Sequence, residues 1–298
     1  GSLHNAVHEY RCTMTAHEIK TVGICGSGIM GSGLAEVIAR SGKQVIVRSR
    51  SIATASQMKD AVAKSLDKQV SKEKITQSDA DRTLANITLT DDVSSLKDCD
   101  LVIESIVEDL AAKVALFKEL DKATRPEAIL ATNTSTLAVI ELARATNRPD
   151  KVCGIHFFNP ATLMPLVEII RPVTASDETI ATATAFASSC GKDPVQVLDR
   201  AGFIVNALLF PYLNNAIRMH EMGTATMEDI DVAMKGGCNF PMGPFALLDL
   251  VGLDTTLSIL EALHAEFKDP NYAPTETLKS LVAQGKLGRK TKQGFFTY

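Results

Sequence analysis

The sequence predicts an α/β fold, a doubly wound and mostly parallel sheet followed by an all-helical C-terminal domain. Three observations predict it. Strand and helix signals alternate from about residue 20 to residue 200. A glycine-rich turn joins the first apolar run to the first helical pattern. Beyond about residue 201 the patterns are helical only.

The elements follow in order. Thr21–Cys25 is an apolar run of buried-strand length, and a helix follows the glycine turn from about Met30 to Ser41. Gln44–Val47 is a second short strand, and about Ala53 to Val70 is a charged amphipathic helix. Leu101–Ile103 and Ala128–Ala131 are further strands, each leading into a helical pattern; Val152–Phe157 and Leu166–Ile170 complete the expected set. Helices are expected over Phe203–Met222, Met227–Lys235, Phe245–Phe267 and Thr275–Gln284. Gly236-Gly237 and Pro241-Met242-Gly243-Pro244 punctuate them. The expected organisation is a leader over 1–19, a sheet domain over 20–200 and a helical domain over 201–298. The leader begins Gly1-Ser2 in the manner of an expression scar and has no periodic pattern, so poor order is expected there.

Bulk properties exclude several function classes. A chain of 298 residues, 45% apolar and 22% charged, can build a real core in two domains. A net charge of -4 argues against a nucleic-acid partner. The six cysteines form no C-x-x-C pair, and no histidine lies in H-E-x-x-H, so no metal is expected. Scattered thiols suit a reducing cytosol, and no apolar run approaches a membrane span. A cytoplasmic protein without a membrane partner is expected.

Gly26-Ser27-Gly28-Ile29-Met30-Gly31 reads G-x-G-x-x-G. Alone the pattern is weak, but here a buried strand precedes it and a helix follows. Gly26 permits the tight turn, Gly28 lets backbone approach a pyrophosphate, and Gly31 lets the helix pack against the strand. Ile29 and Met30 start a helix whose N-terminus attracts phosphate. A Rossmann-like dinucleotide site is expected. The second strand then ends in Arg48-Ser49-Arg50 with no carboxylate.

Chemistry-bearing residues stand further on, in Asn133-Thr134-Ser135-Thr136-Leu137, Gly154-Ile155-His156-Phe157-Phe158-Asn159-Pro160 and Pro165-Leu166-Val167-Glu168-Ile169-Ile170. Oxidising a secondary alcohol needs a base for the hydroxyl proton, and histidine titrates near neutrality. His156 lies at the end of an apolar strand. A carboxylate beside it would stabilise its imidazolium, and Glu168 sits in an apolar run where an unpaired charge is costly. Read alone, His156 also suits a structural histidine and Glu168 an outward strand residue. Asn206 interrupts an apolar helical stretch and needs a partner, either a substrate or a core amide. Ser135 reads equally as a helix cap.

With Gly202-Phe203-Ile204-Val205-Asn206, Gly288-Arg289-Lys290-Thr291 and Gly294-Phe295-Phe296-Thr297-Tyr298, these motifs resemble the 3-hydroxyacyl-CoA dehydrogenase family, more closely its compact two-domain 3-hydroxybutyryl-CoA type. The resemblance spans about residue 20 to the C-terminus. It implies an oxidoreductase moving hydride between a nicotinamide cofactor and C3 of a short (S)-3-hydroxyacyl-CoA. It implies a His156–Glu168 pair, with Ser135 and Asn206 hydrogen-bonding substrate near the reacting oxygen or thioester. Glu108, Lys113 and Asn133 fall on the cofactor side, although Glu108 and Lys113 also suit ordinary helix charges. Ser65 and Lys72 match coenzyme A contacts; Lys64, Lys68 and Lys72 recur every four residues, a spacing that equally describes a solvated face. A homodimer through the helical domain is also implied. The NAD-using members typically end the second strand in aspartate, and Ser49 stands there here. Losing that charge and flanking the position with Arg48 and Arg50 predicts NADP over NAD, the alternative being two surface arginines and an NAD enzyme. Two rivals stay open, a non-catalytic dinucleotide-binding protein on this scaffold and a relative acting on free hydroxy acids.

Overall fold

The computed structural model describes residues 16–298, so most of the expected leader, with His4, His8 and Cys12, lies outside the described residues. Residues 16–19 lead straight into the sheet: Ile19 is buried in the core, and the His17 N–H donates to Thr182 Oγ1 (3.1 Å). The chain divides into two compact units, one ending at Asp199 and the other spanning Arg200–Tyr298.

The first unit carries an eight-stranded sheet of order β3-β2-β1-β4-β5-β6-β7-β8. The strands are β1 Thr21–Cys25, β2 Gln44–Arg48, β3 Ile87–Thr90, β4 Leu101–Glu104, β5 Ile129–Thr132, β6 Val152–Phe157, β7 Leu166–Arg171 and β8 Asp193–Leu198. Six helices connect them: α1 Ile29–Arg40, α2 Ile52–Ser71, α3 Gln77–Ala85, α4 Leu110–Ala123, α5 Val139–Ala143 and α6 Asp177–Ser189. Neighbours pair in parallel except β6 and β7, which are antiparallel. Val22, Ile24, Val45 and Val47 join Leu34, Ile38, Met58, Val62 and Phe186 in the principal core. On the opposite face of β1, Gly23 faces Leu96 of the 3-10 turn Val93–Leu96. Helices therefore flank a doubly wound sheet.

The strand set exceeds expectation by two edges, β3 and β8. Neither is an apolar run: Ile87–Thr90 alternates, and Asp193–Leu198 contains Asp193 and Pro194, which an edge strand tolerates.

The second unit is helical: α7 Val205–Glu221, α8 Met227–Cys238, α9 Pro244–Val251, α10 Leu253–Phe267 and α11 Glu276–Ala283. The single helix expected over Phe245–Phe267 is two, broken at Gly252, whose φ of 103° no helix contains. Phe210, Leu213, Phe245, Leu248, Leu260 and Leu263 form this unit's own core.

Candidate active site

The strand order reverses between β1 and β4, where a parallel sheet opens a crevice beyond its strand ends. The glycine turn sits there. A Cβ on Gly26 would stand 2.3 Å from the Ser105 carbonyl oxygen, and one on Gly31 would stand 2.3 Å from that of Gly26. Both positions exclude a side chain for reasons of packing. Gly28 differs, because a Cβ there meets nothing within 4 Å. It is also the N-cap of α1, which has no side-chain cap and no acidic residue in its first turn. Ile29 beside it is exposed and Met30 half-buried. Open space against an uncapped helix N-terminus fits a dinucleotide pyrophosphate.

β2 delivers Ser49 next to this turn. Its hydroxyl lies 2.9 Å from that of Ser27 and also bonds Thr54, tying the turn to the start of α2. Arg50 is exposed; Arg48 is half-buried, and its Nε has no hydrogen-bond partner among the described residues.

The antiparallel register of β6 and β7 sets His156 directly opposite Glu168. His156 Nδ1 and Glu168 Oε1 are 2.9 Å apart, with both side chains buried. Across the parallel β5–β6 pair, the turn after β5 brings Ser135 Oγ to 3.0 Å from His156 Nε2. Ser135 does not cap a helix, since α5 begins at Val139 with Ala138 as its N-cap. Glu168 is not an outward residue either, being fully buried. The three side chains form a line, carboxylate to imidazole to hydroxyl. The Phe158 ring stands 4.7 Å from the imidazole.

The turn carrying Ser135 is held from several sides. Asn133 Oδ1 accepts the Phe157 N–H (2.8 Å), and the Asn133 N–H donates to the Glu104 carbonyl (2.9 Å). Glu108 accepts the Ser135 N–H (3.0 Å) and the Thr134 hydroxyl (2.7 Å). Lys113 is buried, paired with Glu104 and 3.4 Å from Glu108. Glu104 was not anticipated from the sequence. The available signal was a carboxylate closing the apolar run Leu101–Ile103, nine residues before a lysine on the next helix.

The remaining candidates lie on other elements. Ser65 and Lys72 lie seven residues apart along α2 and its C-cap, and therefore on one face. The Ser65 hydroxyl donates to Glu36 (3.0 Å), while Lys64, Lys68 and Lys72 are exposed. Asn206 is the second residue of α7, half-buried, in the helical unit. Burial pushes the Cys25 thiol, at the end of β1, up to about 12, so it is no nucleophile at neutral pH. A cavity of about 410 Å³ bounded by His17, Asp100, Arg125, Glu127 and Lys151 opens at the strand starts, the opposite end of the sheet from His156. Among the described residues no cluster suits a metal, and no helix is long and apolar enough to cross a membrane.

Comparison with known proteins gives consistent matches. The family model for the NAD-binding domain of 3-hydroxyacyl-CoA dehydrogenase matches residues 21–200, and that for its C-terminal domain matches 202–298. A 3-hydroxybutyryl-CoA dehydrogenase of Mycobacterium tuberculosis is 46% identical over 94% of this chain and 99% of its own. The human mitochondrial hydroxyacyl-coenzyme A dehydrogenase is 43% identical over 94% of this chain and 91% of its own. The crystal structure of an (S)-3-hydroxybutyryl-CoA dehydrogenase from Ralstonia eutropha superposes with a TM-score of 0.92 at 42% identity, covering 94% of this chain and 99% of that one.

Proposed function

Because the chain belongs to the 3-hydroxyacyl-CoA dehydrogenase family, we propose that it moves hydride between NADP(H), or NAD(H), and C3 of a short 3-hydroxyacyl-CoA or 3-oxoacyl-CoA. (S)-3-Hydroxybutyryl-CoA is the substrate that its relatives' names favour, and acetoacetyl-CoA is the product of its oxidation at C3. The observation that carries this reading is the Glu168–His156–Ser135 line.

Its chemistry follows from the atoms. Glu168 as a carboxylate accepts the Nδ1–H of His156, which leaves the lone pair on Nε2. In oxidation Nε2 takes the 3-hydroxyl proton, and Glu168 offsets the charge that forms on the ring. In reduction the same Nε2–H returns the proton to the carbonyl oxygen. The nicotinamide, when bound, supplies the two-electron chemistry by accepting or giving hydride at C4. Ser135 Oγ, beside Nε2, and Asn206 orient the substrate oxygens. Gly26, Gly28, Ile29, Met30 and Gly31 cradle the pyrophosphate; Glu108, Lys113 and Asn133 shape the nicotinamide side; Ser65 and Lys72 hold coenzyme A. Ser49 between Arg48 and Arg50 favours NADP, because no carboxylate repels a 2′-phosphate there. A homodimer fits the exposed Leu208 and Met219, which share one face of α7, with the exposed Met222 at its C-cap.

The test is loss of NADPH or NADH absorbance with acetoacetyl-CoA, run beside free acetoacetate. Turnover of neither substrate would leave a non-catalytic dinucleotide-binding protein. Equal turnover of both would point to a dehydrogenase of free hydroxy acids.

A further inference from the structure

Glu104 and Lys113 form an ion pair in the sheet unit with side chains 0% and 2% exposed. So deep a pair is a poor source of stability, because desolvation consumes most of its attraction. It also uses more hydrogen bonds than charge neutralisation requires. Glu104 Oε1 accepts the Ile106 N–H (2.8 Å) and Oε2 accepts the Thr132 hydroxyl (2.7 Å), so its carboxylate is held in one orientation. Lys113 reaches onward to Glu108 Oε1 (3.4 Å), and Glu108 spends its two oxygens on Thr134 Oγ1 and the Ser135 N–H. The Thr134 N–H donates back to Thr132 Oγ1 (3.1 Å), closing a ring of contacts around the turn. The last link is Ser135 Oγ against His156 Nε2 (3.0 Å).

We propose that Glu104 is a positioning residue for the reaction. Through Lys113 it fixes the carboxylate of Glu108, and through Glu108 it fixes the turn that aims Ser135 Oγ at His156 Nε2. Lys113 is accordingly a buried strut, and its ammonium works on the cofactor side by holding Glu108 in place. Glu108 is partly exposed, and without the ammonium beside it only its two hydrogen bonds to the turn would restrain its rotamer. The inference rests on the dehydrogenase reading of Ser135 and His156. It adds to that reading a residue that touches neither reactant.

The test is a double-mutant cycle in the full chain, Glu104→Gln against Ser135→Ala, with acetoacetyl-CoA and reduced cofactor. Glutamine keeps the volume and an acceptor oxygen but loses the charge. Glu104→Gln should lower kcat by about 10- to 100-fold, with KM for acetoacetyl-CoA nearly unchanged, since misaiming a reacting group costs rate rather than binding. In the Ser135→Ala background the same change should add less than about twofold, because the link it served is already cut. The 15N resonance of His156 Nε2 in the cofactor-free protein should move in Glu104→Gln toward its position in Ser135→Ala. If Glu104→Gln does not fold, Glu104→Asp, which keeps the charge and shortens the reach, enters the same cycle and should show a smaller loss with the same non-additivity. Multiplying losses, or an Nε2 resonance unmoved in the folded variant, would overturn the relay while leaving the reaction standing. Absence of wild-type turnover with acetoacetyl-CoA would instead remove the reaction itself, and the Nε2 resonance would still decide whether the relay exists.

Discussion

At the scale of the residue, a dehydrogenase needs one group that can both take and return a proton. His156 has Glu168 2.9 Å from Nδ1 and Ser135 3.0 Å from Nε2, and in the proposed mechanism Nδ1 is the anchored end and Nε2 the working end. Replacing it by glutamine should lower kcat by about 100-fold or more while cofactor affinity stays near wild type. A variant with near wild-type kcat, under conditions where chemistry limits the rate, would remove His156 from the mechanism. Glu168→Gln is nearly isosteric and should fold. Without the carboxylate the charge that forms on the ring during the reaction loses its stabilising partner, so kcat should fall. Full activity in the folded variant would make Glu168 a bystander. Ser49 poses the cofactor question at the same scale. One charged hydrogen bond from Arg48 or Arg50 to a 2′-phosphate is worth about 1.5–3 kcal/mol, enough to favour NADP roughly 10- to 150-fold. The ratio of kcat/KM for NADPH to that for NADH should therefore exceed one and collapse in Ser49→Asp. A clear NADH preference in the wild type, with no further shift in the variant, would refute the assignment.

At the scale of the element, the turn between β1 and α1 separates packing from binding. Gly31→Ala drives a Cβ to 2.3 Å from a backbone oxygen, so the helix must shift and the melting temperature should fall. Gly28 has φ -75° and open space around it, so Gly28→Ala should melt like wild type. Its new methyl would occupy the space where a pyrophosphate approaches, and dinucleotide affinity should drop by about tenfold or more. Equal melting with equal affinity in Gly28→Ala would place the phosphate elsewhere. This turn was legible in the sequence because glycines at fixed spacing, a strand and a helix all point to one geometry. The inner strands were legible for a similar reason, as apolar runs of strand length. β3 and β8 were not: an edge strand needs no continuous apolar run, so Ile87–Thr90 and Asp193–Leu198 carry weak signals. Nor does a run such as Leu166–Ile170 announce its direction. The antiparallel β6–β7 pairing is a tertiary fact, and it is what sets Glu168 opposite His156. Glu104 was not legible because its proposed role depends on a lysine that the fold carries inside, and the sequence does not show that Lys113 is buried.

At the scale of the whole molecule, charge sets the two signs to be weighed. The chain carries a net charge of -4, and the proposed substrate carries the phosphates of coenzyme A, so the long-range field is mildly repulsive. Binding must then rely on local cations, and the exposed Lys64, Lys68 and Lys72 on α2 and its C-cap are the nearest such group in the sequence to Ser65. Salt distinguishes the two contributions, because the Debye length falls from about 10 Å at 0.1 M to about 3 Å at 1 M. If net repulsion governed encounter, added salt would lower KM for acyl-CoA. If the local lysines govern, added salt should raise it, and that is the expected result for the wild type. Lys72→Ala should raise KM several-fold at low salt with kcat little changed, since the phosphates lie far from the reacting carbon, and the gap from wild type should narrow as salt rises. A thioester of pantetheine, which lacks the nucleotide end, supplies the control and should be indifferent to the substitution. The same loss with that truncated substrate, or a gap that salt leaves untouched, would show that Lys72 does not hold the coenzyme A phosphates.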